Sequence, residues 1–316
     1  MNERYEEMYQ AASRYYIQGE TMESIAHQMG LSRSTVSRLL HQARTTGLVR
    51  ISLADDIGSR SPMAAALNQA FGVRVHLVSV RDGVSEHHRL EQVARMAARL
   101  LCEAVADHNV IGVAWGGTTS VVVRHLQPRP LEGAMIVQLN GGTNRWSSGI
   151  PYVGEILQRV GDAFRSQVVY FPVPAFFDYA ETKQAMWRER SVQRVVQLQH
   201  RMDVAIFGVG CLEATVPSHV YTSGYMDDEE MRQLVRDGVV GDVATVLLRE
   251  DGSWTDIPLN ARASGLNPTE LARVPRRFCV VADPSRARAI VGALRAGTTS
   301  DLVIDEGTAR AVLDRL

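Results

Sequence analysis

The chain has 316 residues, 45% of them hydrophobic, with a formal net charge of −1. That length fits roughly two domains, and the apolar content excludes a disordered chain. The balanced charge excludes a globally basic nucleic-acid binder, so any attraction to DNA must be local. Three widely spaced cysteines, Cys102, Cys211 and Cys279, show no CxxC or Cys/His ligand spacing and read as thiols of a reducing cytoplasm. Neither a metal nor a cofactor is expected. The charged start MNERYEEMYQ is unlike a signal peptide, and no apolar run approaches the ~18 residues of a membrane span. A soluble cytoplasmic protein without membrane contact is expected.

Apolar positions at Tyr5, Met8, Tyr9, Ala12, Tyr15, Tyr16 and Ile17 predict a first helix over residues 3–18, ended by Gly19. Met22 to Leu40 then reads as two short helices and a tight turn. Ala26 is small enough for close helix approach, and Gly30 can take the left-handed conformation of the turn. Ile25, Met29, Leu31, Val36 and Leu39 would fill the space between the helices, and Ser32 sits where an N-cap belongs. The second helix presents Arg33, Ser34, Thr35, Ser37, Arg38 and His41, with no acid among them. Such residues suit major-groove edges and phosphates, so these six with Ser32 and Arg44 are the candidate DNA contacts. The alternative is an ordinary helical hairpin with a solvated polar face. Leu48–Leu53 alternates like a short strand, either a wing or a passage onward. Two aspartates, a glycine, serines and a proline between Ala54 and Pro62 mark a linker. The expected division is a helix-turn-helix, winged-helix-like domain over 1–55, a linker over 56–62 and a second domain over 63–316.

In the second domain apolar strands alternate with helical patterns. Strands are expected at Val73–Val80, Val110–Trp115, Ala134–Leu139, Gln167–Phe171, Asp203–Val209, Asp242–Leu248, Phe278–Ala282 and Asp301–Ile304. The helices expected between them are Glu86–Ala106, Thr118–Leu126, Tyr152–Val160, Glu181–His200, Asp228–Asp237 and Ser285–Ala296. This alternation predicts a doubly wound, largely parallel α/β sheet covered on both faces, with ligands at the carboxyl edge of the strands.

Two loops stand at such strand ends. Gly116, Gly117, Thr118 and Thr119 follow one strand and open a helix, where free N–H groups and hydroxyls favour an anion such as phosphate. Asn140, Gly141, Gly142 and Thr143 follow the next strand, and tight turning alone is the alternative for either loop. Gly-x-Ser-x-Gly and Walker A are absent, no histidine pairs with a nucleophile, and Lys183, the sole lysine, lies in a polar helical stretch. No catalytic residue is assigned: the loops read as built for binding.

The segments YYIQGETMESIAHQMGLSRSTVSRLL, GVAWGGTTS, QLNGG, VPAFF, FGVG, VVGDVAT and ALRAGTTSDLVIDEGTA together give the chain a resemblance to the SorC family of bacterial sugar-responsive transcription regulators, across nearly its whole length. The resemblance implies a DNA-binding head on a sugar-phosphate-isomerase-like α/β sensor, assembled as a dimer or tetramer on double-stranded operator DNA. It also implies an effector that is a sugar, sugar phosphate or polyol. A phosphate is placed near Gly116, Gly117, Thr118 and Thr119, with Gly141, Gly142 and Thr143 lining the pocket and Asp242 at the family's Gly-Asp pair. Where many members carry Gly-Gly-x-x-Lys, this chain has Ala282-Asp283-Pro284-Ser285-Arg286. Arg286 keeps a positive charge there, while Asp283 adds a negative one that would weaken phosphate binding if it faces the pocket. The competing functions are a sugar-phosphate isomerase or deaminase with an N-terminal extension, and a DNA-binding scaffold without a ligand.

Overall fold

The computed structural model describes residues 3–49, 61–81, 83–215 and 217–316. It divides into two compact units, Met1–Asp55 and Asp56–Leu316. In the first unit, helix α1 (Glu3–Ala12) passes into a π-helical turn, Ser13–Ile17, where the Gln18 N–H reaches back to the Ser13 carbonyl at 3.1 Å. The helix expected to run unbroken to Gln18 is thus two kinds of helix. The wider turn sets both Tyr15 and Tyr16 against the small core, with rings 5.0 Å apart and edge to face. Helix α2 (Met22–Met29) is capped by Thr21 and stops at Gly30, whose φ of 65° makes the turn. Helix α3 (Arg33–Thr45) is capped by Ser32. Met8, Ala11, Ile25, Ala26, Val36, Leu39, Leu40 and Ala43 are buried between the three helices. The expected strand over Leu48–Leu53 starts on a bend, with the Val49 N–H on the Ala43 carbonyl at 2.9 Å. Its remaining residues, like most of the expected linker, lie outside the described residues.

The second unit opens with helix α4 (Pro62–Phe71), which takes in the last residue of the expected linker. Then come β1 (Arg74–Val78), α5 (Glu86–Ala104), β2 (Val110–Val113), α6 (Gly117–Arg124), β3 (Met135–Gln138), α7 (Ile150–Phe164) and β4 (Gln167–Val169). After α8 (Ala180–Met186) and α9 (Arg190–Gln199), the chain forms β5 (Val204–Phe207), β6 (Gly210–Cys211), α10 (His219–Thr222), α11 (Asp228–Arg236), β7 (Val239–Val243) and β8 (Val246–Arg249). It closes with α12 (Pro268–Leu271), β9 (Arg276–Val281), α13 (Ala287–Arg295), β10 (Asp301–Asp305) and α14 (Glu306–Leu313).

Among the described residues seven strands form one parallel sheet in the order β1-β10-β9-β5-β2-β3-β4, and β6, β7 and β8 form a small antiparallel sheet. Alternate strand residues point to opposite faces. Ile111, Ile136, Ile206, Phe278 and Val303 pack with Val93, Val122, Ile156 and Phe164 from α5, α6 and α7. Val137, Phe207, Cys279 and Leu302 pack with Leu67, Val195, Ile290 and Val312 from α4, α9, α13 and α14. Both faces are covered, which is why the strands read as continuous apolar runs.

Three expected elements differ. Asp242–Leu248 is not one strand but the β7–β8 hairpin, turned by Ala244 and Thr245 at φ 47° and 70°. An apolar run hides such a turn because neither residue is a usual left-handed former. The expected helix Glu181–His200 breaks at 187–189, where Trp187 packs edge-on between Phe171 and Phe177 at 5.6 and 5.8 Å. The strand expected to reach Phe171 stops at Val169, and the Phe171 N–H instead donates to Gln138 Oε1 at 2.9 Å.

Opposite the strands' carboxyl ends, Asp301 is fully buried at the start of β10. It accepts hydrogen bonds from Arg276 Nε and Nη2, both at 3.0 Å, and from Ser300 at 2.8 Å. Burial pushes its carboxyl upward, but His76, Ser300 and Arg276 outweigh that and hold it at about 2.

Candidate functional site

The first candidate surface is α3. Its buried side, Val36, Leu39, Leu40 and Ala43, fixes which residues face outward. Arg33, Ser34, Ser37, Arg38, His41 and Arg44 are exposed on that outward side, and Thr35 is half-buried. Ser32 is committed to the cap: its Oγ accepts the Thr35 N–H at 3.1 Å and lies 2.8 Å from both Ser34 Oγ and Thr35 Oγ1. Glu23 of α2 lies 3.7 Å from Arg33, with both side chains in solvent. The face therefore carries net positive charge and several donors within one helical stripe, as groove reading requires.

The second candidate site follows from the strand order. β2, β3 and β4 run outward in one direction. The chain then returns to place β5 on the other side of β2, and this reversal opens a crevice between the loops after β2 and β5. Gly116 takes φ 155° to lead into α6. A Cβ on Gly208, after β5, would sit 3.2 Å from Thr118 Cβ, so the two loops meet closely here. Above them lies a cavity of about 510 Å³.

Gly116, Gly117, Thr118, Thr119, Asn140, Asp242 and Arg286 all line this cavity. Gly141, Gly142 and Thr143 do not. Gly141 passes beneath the next loop: a Cβ there would lie 2.3 Å from the Val173 carbonyl oxygen, and its N–H donates to Ser264 Oγ at 2.9 Å. The Gly142 carbonyl accepts from Tyr225 Oη at 3.0 Å, and Thr143 Oγ1 donates to the Ser148 carbonyl at 3.0 Å. Close backbone passage accounts for the glycine at 141, and the Val153 side chain, which would lie 2.7 Å from a Cβ at 142, accounts for the one there.

One wall is aromatic and was not assigned from sequence. Trp115, Tyr152 and His219 line the cavity. Trp115 stacks on Tyr225 at 5.3 Å and 23°, and meets Tyr152 and His219 edge-on at 6.4 and 6.2 Å. Its Nε1 donates to the Gly141 carbonyl at 2.9 Å, fixing the ring. Burial pushes the His219 imidazole below its usual range, which favours its neutral form. Trp115 lies inside a glycine loop already singled out, but Tyr152 and His219 reach the wall from distant helices and carry no motif.

The charged wall is internally compensated. Asp283 caps a short 3₁₀ turn at Pro284–Arg286 by accepting from the Ser285 N–H at 2.9 Å, and its other oxygen pairs with Arg286 Nε at 3.1 Å. Arg286 Nη1 also donates to Ser218 Oγ at 2.7 Å and to the Val209 carbonyl at 3.3 Å. Asp283 thus faces the cavity with its charge already answered. Asp242 is buried and accepts from Tyr221 Oη and the Thr245 N–H, each at 2.9 Å. Burial raises its carboxyl above the usual range, against the pull of Tyr221, Thr245 and Arg286. Among the described residues no group of three or more histidine, cysteine, aspartate or glutamate side chains is placed to hold a metal ion.

A helix-turn-helix unit and a doubly wound sheet with a crevice at its switch point are the parts of a ligand-responsive DNA-binding protein. Residues 55–314 match the family described as a sugar-binding domain, and residues 10–63 match a helix-turn-helix domain family. The chain belongs to the SorC family of sugar-responsive transcriptional regulators, and is a DNA-binding regulator with a sugar-binding domain. It is 29% identical to the deoxyribonucleoside regulator of Bacillus subtilis, over 97% of each chain. A domain of a sugar-binding transcriptional regulator from Arthrobacter aurescens is 43% identical, with a TM-score of 0.75, covering 84% of this chain and all of that one. The full-length sorbitol operon regulator of Klebsiella pneumoniae has the same fold, with a TM-score of 0.81 at 21% identity, over 99% of this chain and 100% of that one.

Proposed function

We propose that this regulator controls genes of carbohydrate or polyol catabolism, that α3 reads operator DNA and that the cavity binds the effector. The names of the similar regulators of deoxyribonucleoside and sorbitol genes support the gene class. The effector is a small polyhydroxyl compound. Its C–H face lies on Trp115, Tyr152 and His219, and its hydroxyls meet Thr118, Thr119, Asn140 and Asp242. The carrying observation is the cavity's charge balance: Asp242, Asp283 and Glu86 line it together with Arg286, whose charge is already paired with Asp283. That balance favours a free sugar or polyol over its phosphate, even though α6 points its N-terminus at the same space.

The protein acts in the cytoplasm as a two-fold assembly, divided as 1–55, a linker at 56–62 and 63–316. Effector binding favours one arrangement of subunits and so resets the spacing of two recognition helices, which must match half-sites about one helical turn apart. The cavity binds its ligand without turning it over. A thermal-shift screen of the full chain with sugars, polyols and their phosphate esters tests the assignment. A ligand at 100 times its dissociation constant adds about 2.7 kcal/mol of stability. Stabilisation by an uncharged member and not by its phosphate is expected, and the reverse order would overturn the charge argument. Conversion of any member to product would overturn the binding-only role.

A further inference from the structure

Asn140 is 1% exposed and lines the cavity, yet its side-chain Oδ1 has no hydrogen-bond partner among the described residues. Buried amides in folded proteins are almost always paired, and an unpaired one lowers stability. The amides around it show the ordinary state. Gln138 Oε1 accepts from the Phe171 N–H, and Gln138 Nε2 donates to the Asn140 carbonyl at 2.7 Å. Gln199 Nε2 donates to the carbonyls of Gln138 and Leu139 at 2.8 and 3.2 Å. Trp115 Nε1 adds a 3.2 Å bond to the Asn140 carbonyl. The backbone carbonyl of Asn140 is therefore held by two donors, while the side-chain Oδ1 of this cavity-lining residue is left unpaired.

We propose that Asn140 is the specificity-determining residue of the cavity and reads one hydroxyl group of the effector. This inference rests on the reading of the cavity as the effector site. An acceptor oxygen can be satisfied only by a group that brings a proton. A hydroxyl does so, donating to Oδ1, and a neighbouring hydroxyl oxygen can accept from Nδ2. A phosphate dianion or a carboxylate brings acceptors alone and would leave Oδ1 unpaired. The position next to β3 therefore takes a hydroxyl-bearing carbon and rejects both an ionised group and a deoxy carbon. Sites built to bond a hydroxyl discriminate strongly against analogues that lack it, because their buried polar group is then left alone.

The test uses full-length protein, native and as Asn140→Leu and Asn140→Ala. The probes are D-ribose, 2-deoxy-D-ribose, erythritol and D-sorbitol, read by ligand-free unfolding temperature and by calorimetric titration. Both variants are expected to keep or raise the ligand-free unfolding temperature, since Oδ1 makes no hydrogen bond among the described residues. Each is expected to weaken the tightest probe at least tenfold, and to narrow the gap between that probe and its deoxy counterpart or the weaker polyol. A fall in ligand-free stability of both variants makes the amide structural and overturns the inference, as does unchanged affinity in both. If no probe binds the native chain, the effector reading itself falls and takes this inference with it.

Discussion

At the scale of single residues, the two ends of the sheet carry opposite chemistry. Asp301 is paired with Arg276 and Ser300 at one end, whereas Asn140 at the other, a residue of the cavity wall, keeps an unpaired Oδ1. Asp301 has a carboxyl pKa below its unfolded value. It therefore stabilises the fold above about pH 4, and that contribution is lost as the pH falls toward about 2. Asp301→Asn is expected to cost about 3 kcal/mol at pH 7, because it removes the buried negative charge that pairs with Arg276. The variant should also unfold with a shallower acid dependence between pH 4 and 2, which denaturant titrations across that range would show. Arg38 is the clearest test of the DNA face. Arg38→Ala is expected to weaken operator binding about tenfold, as losing one phosphate or base contact of 1–3 kcal/mol does, while effector binding stays as it was. Equal operator affinity in gel-shift titrations would remove Arg38 from the interface.

At the scale of elements, glycines of similar appearance divide into two kinds. A side chain on Gly117 would meet nothing within 4 Å, whereas one on Gly141 would strike the backbone of Val173 and Pro174. Gly141→Ala is expected to destabilise the second unit by about 2 kcal/mol through overpacking. Gly117→Ala should leave stability within about 0.5 kcal/mol and alter ligand affinity alone. Chemical denaturation of both variants decides the matter, and a stable Gly141→Ala protein would refute the packing account. This contrast shows what the sequence could disclose. The helix-turn-helix was legible because Ala26, Gly30, Ser32 and Val36 are each dictated by local geometry. The parallel sheet was legible because burial on both faces leaves unbroken apolar runs. The hairpin at Ala244 and Thr245 was not, since two residues whose own chemistry disfavours a left-handed conformation adopt it, with the Thr245 N–H held by Asp242 Oδ2. The aromatic wall was not either, because Tyr152 and His219 meet Trp115 only after the sheet has formed.

At the scale of the whole molecule, the cavity is a product of long-range order. Its wall draws on residues from Glu86 to Arg286, and every parallel strand pair on which it rests joins segments separated by a crossover. Binding in the cavity is therefore linked to the integrity of the entire sheet rather than to a loop. Hydrogen exchange should slow across β2, β3, β5 and β9 on addition of effector, because ligand stabilisation raises the free energy of every global opening. Protection confined to the loops would show that the sheet opens in independent parts.

The linear order of these parts has a consequence for synthesis. The ribosome completes α3 long before it reaches Arg286, the last residue of the cavity wall. At about 5–20 residues per second, the interval is roughly ten to fifty seconds. For that time each growing chain holds its helix-turn-helix and lacks the completed cavity. Newborn regulators are deaf before they can listen, and every copy enters its working life by closing the sensor last.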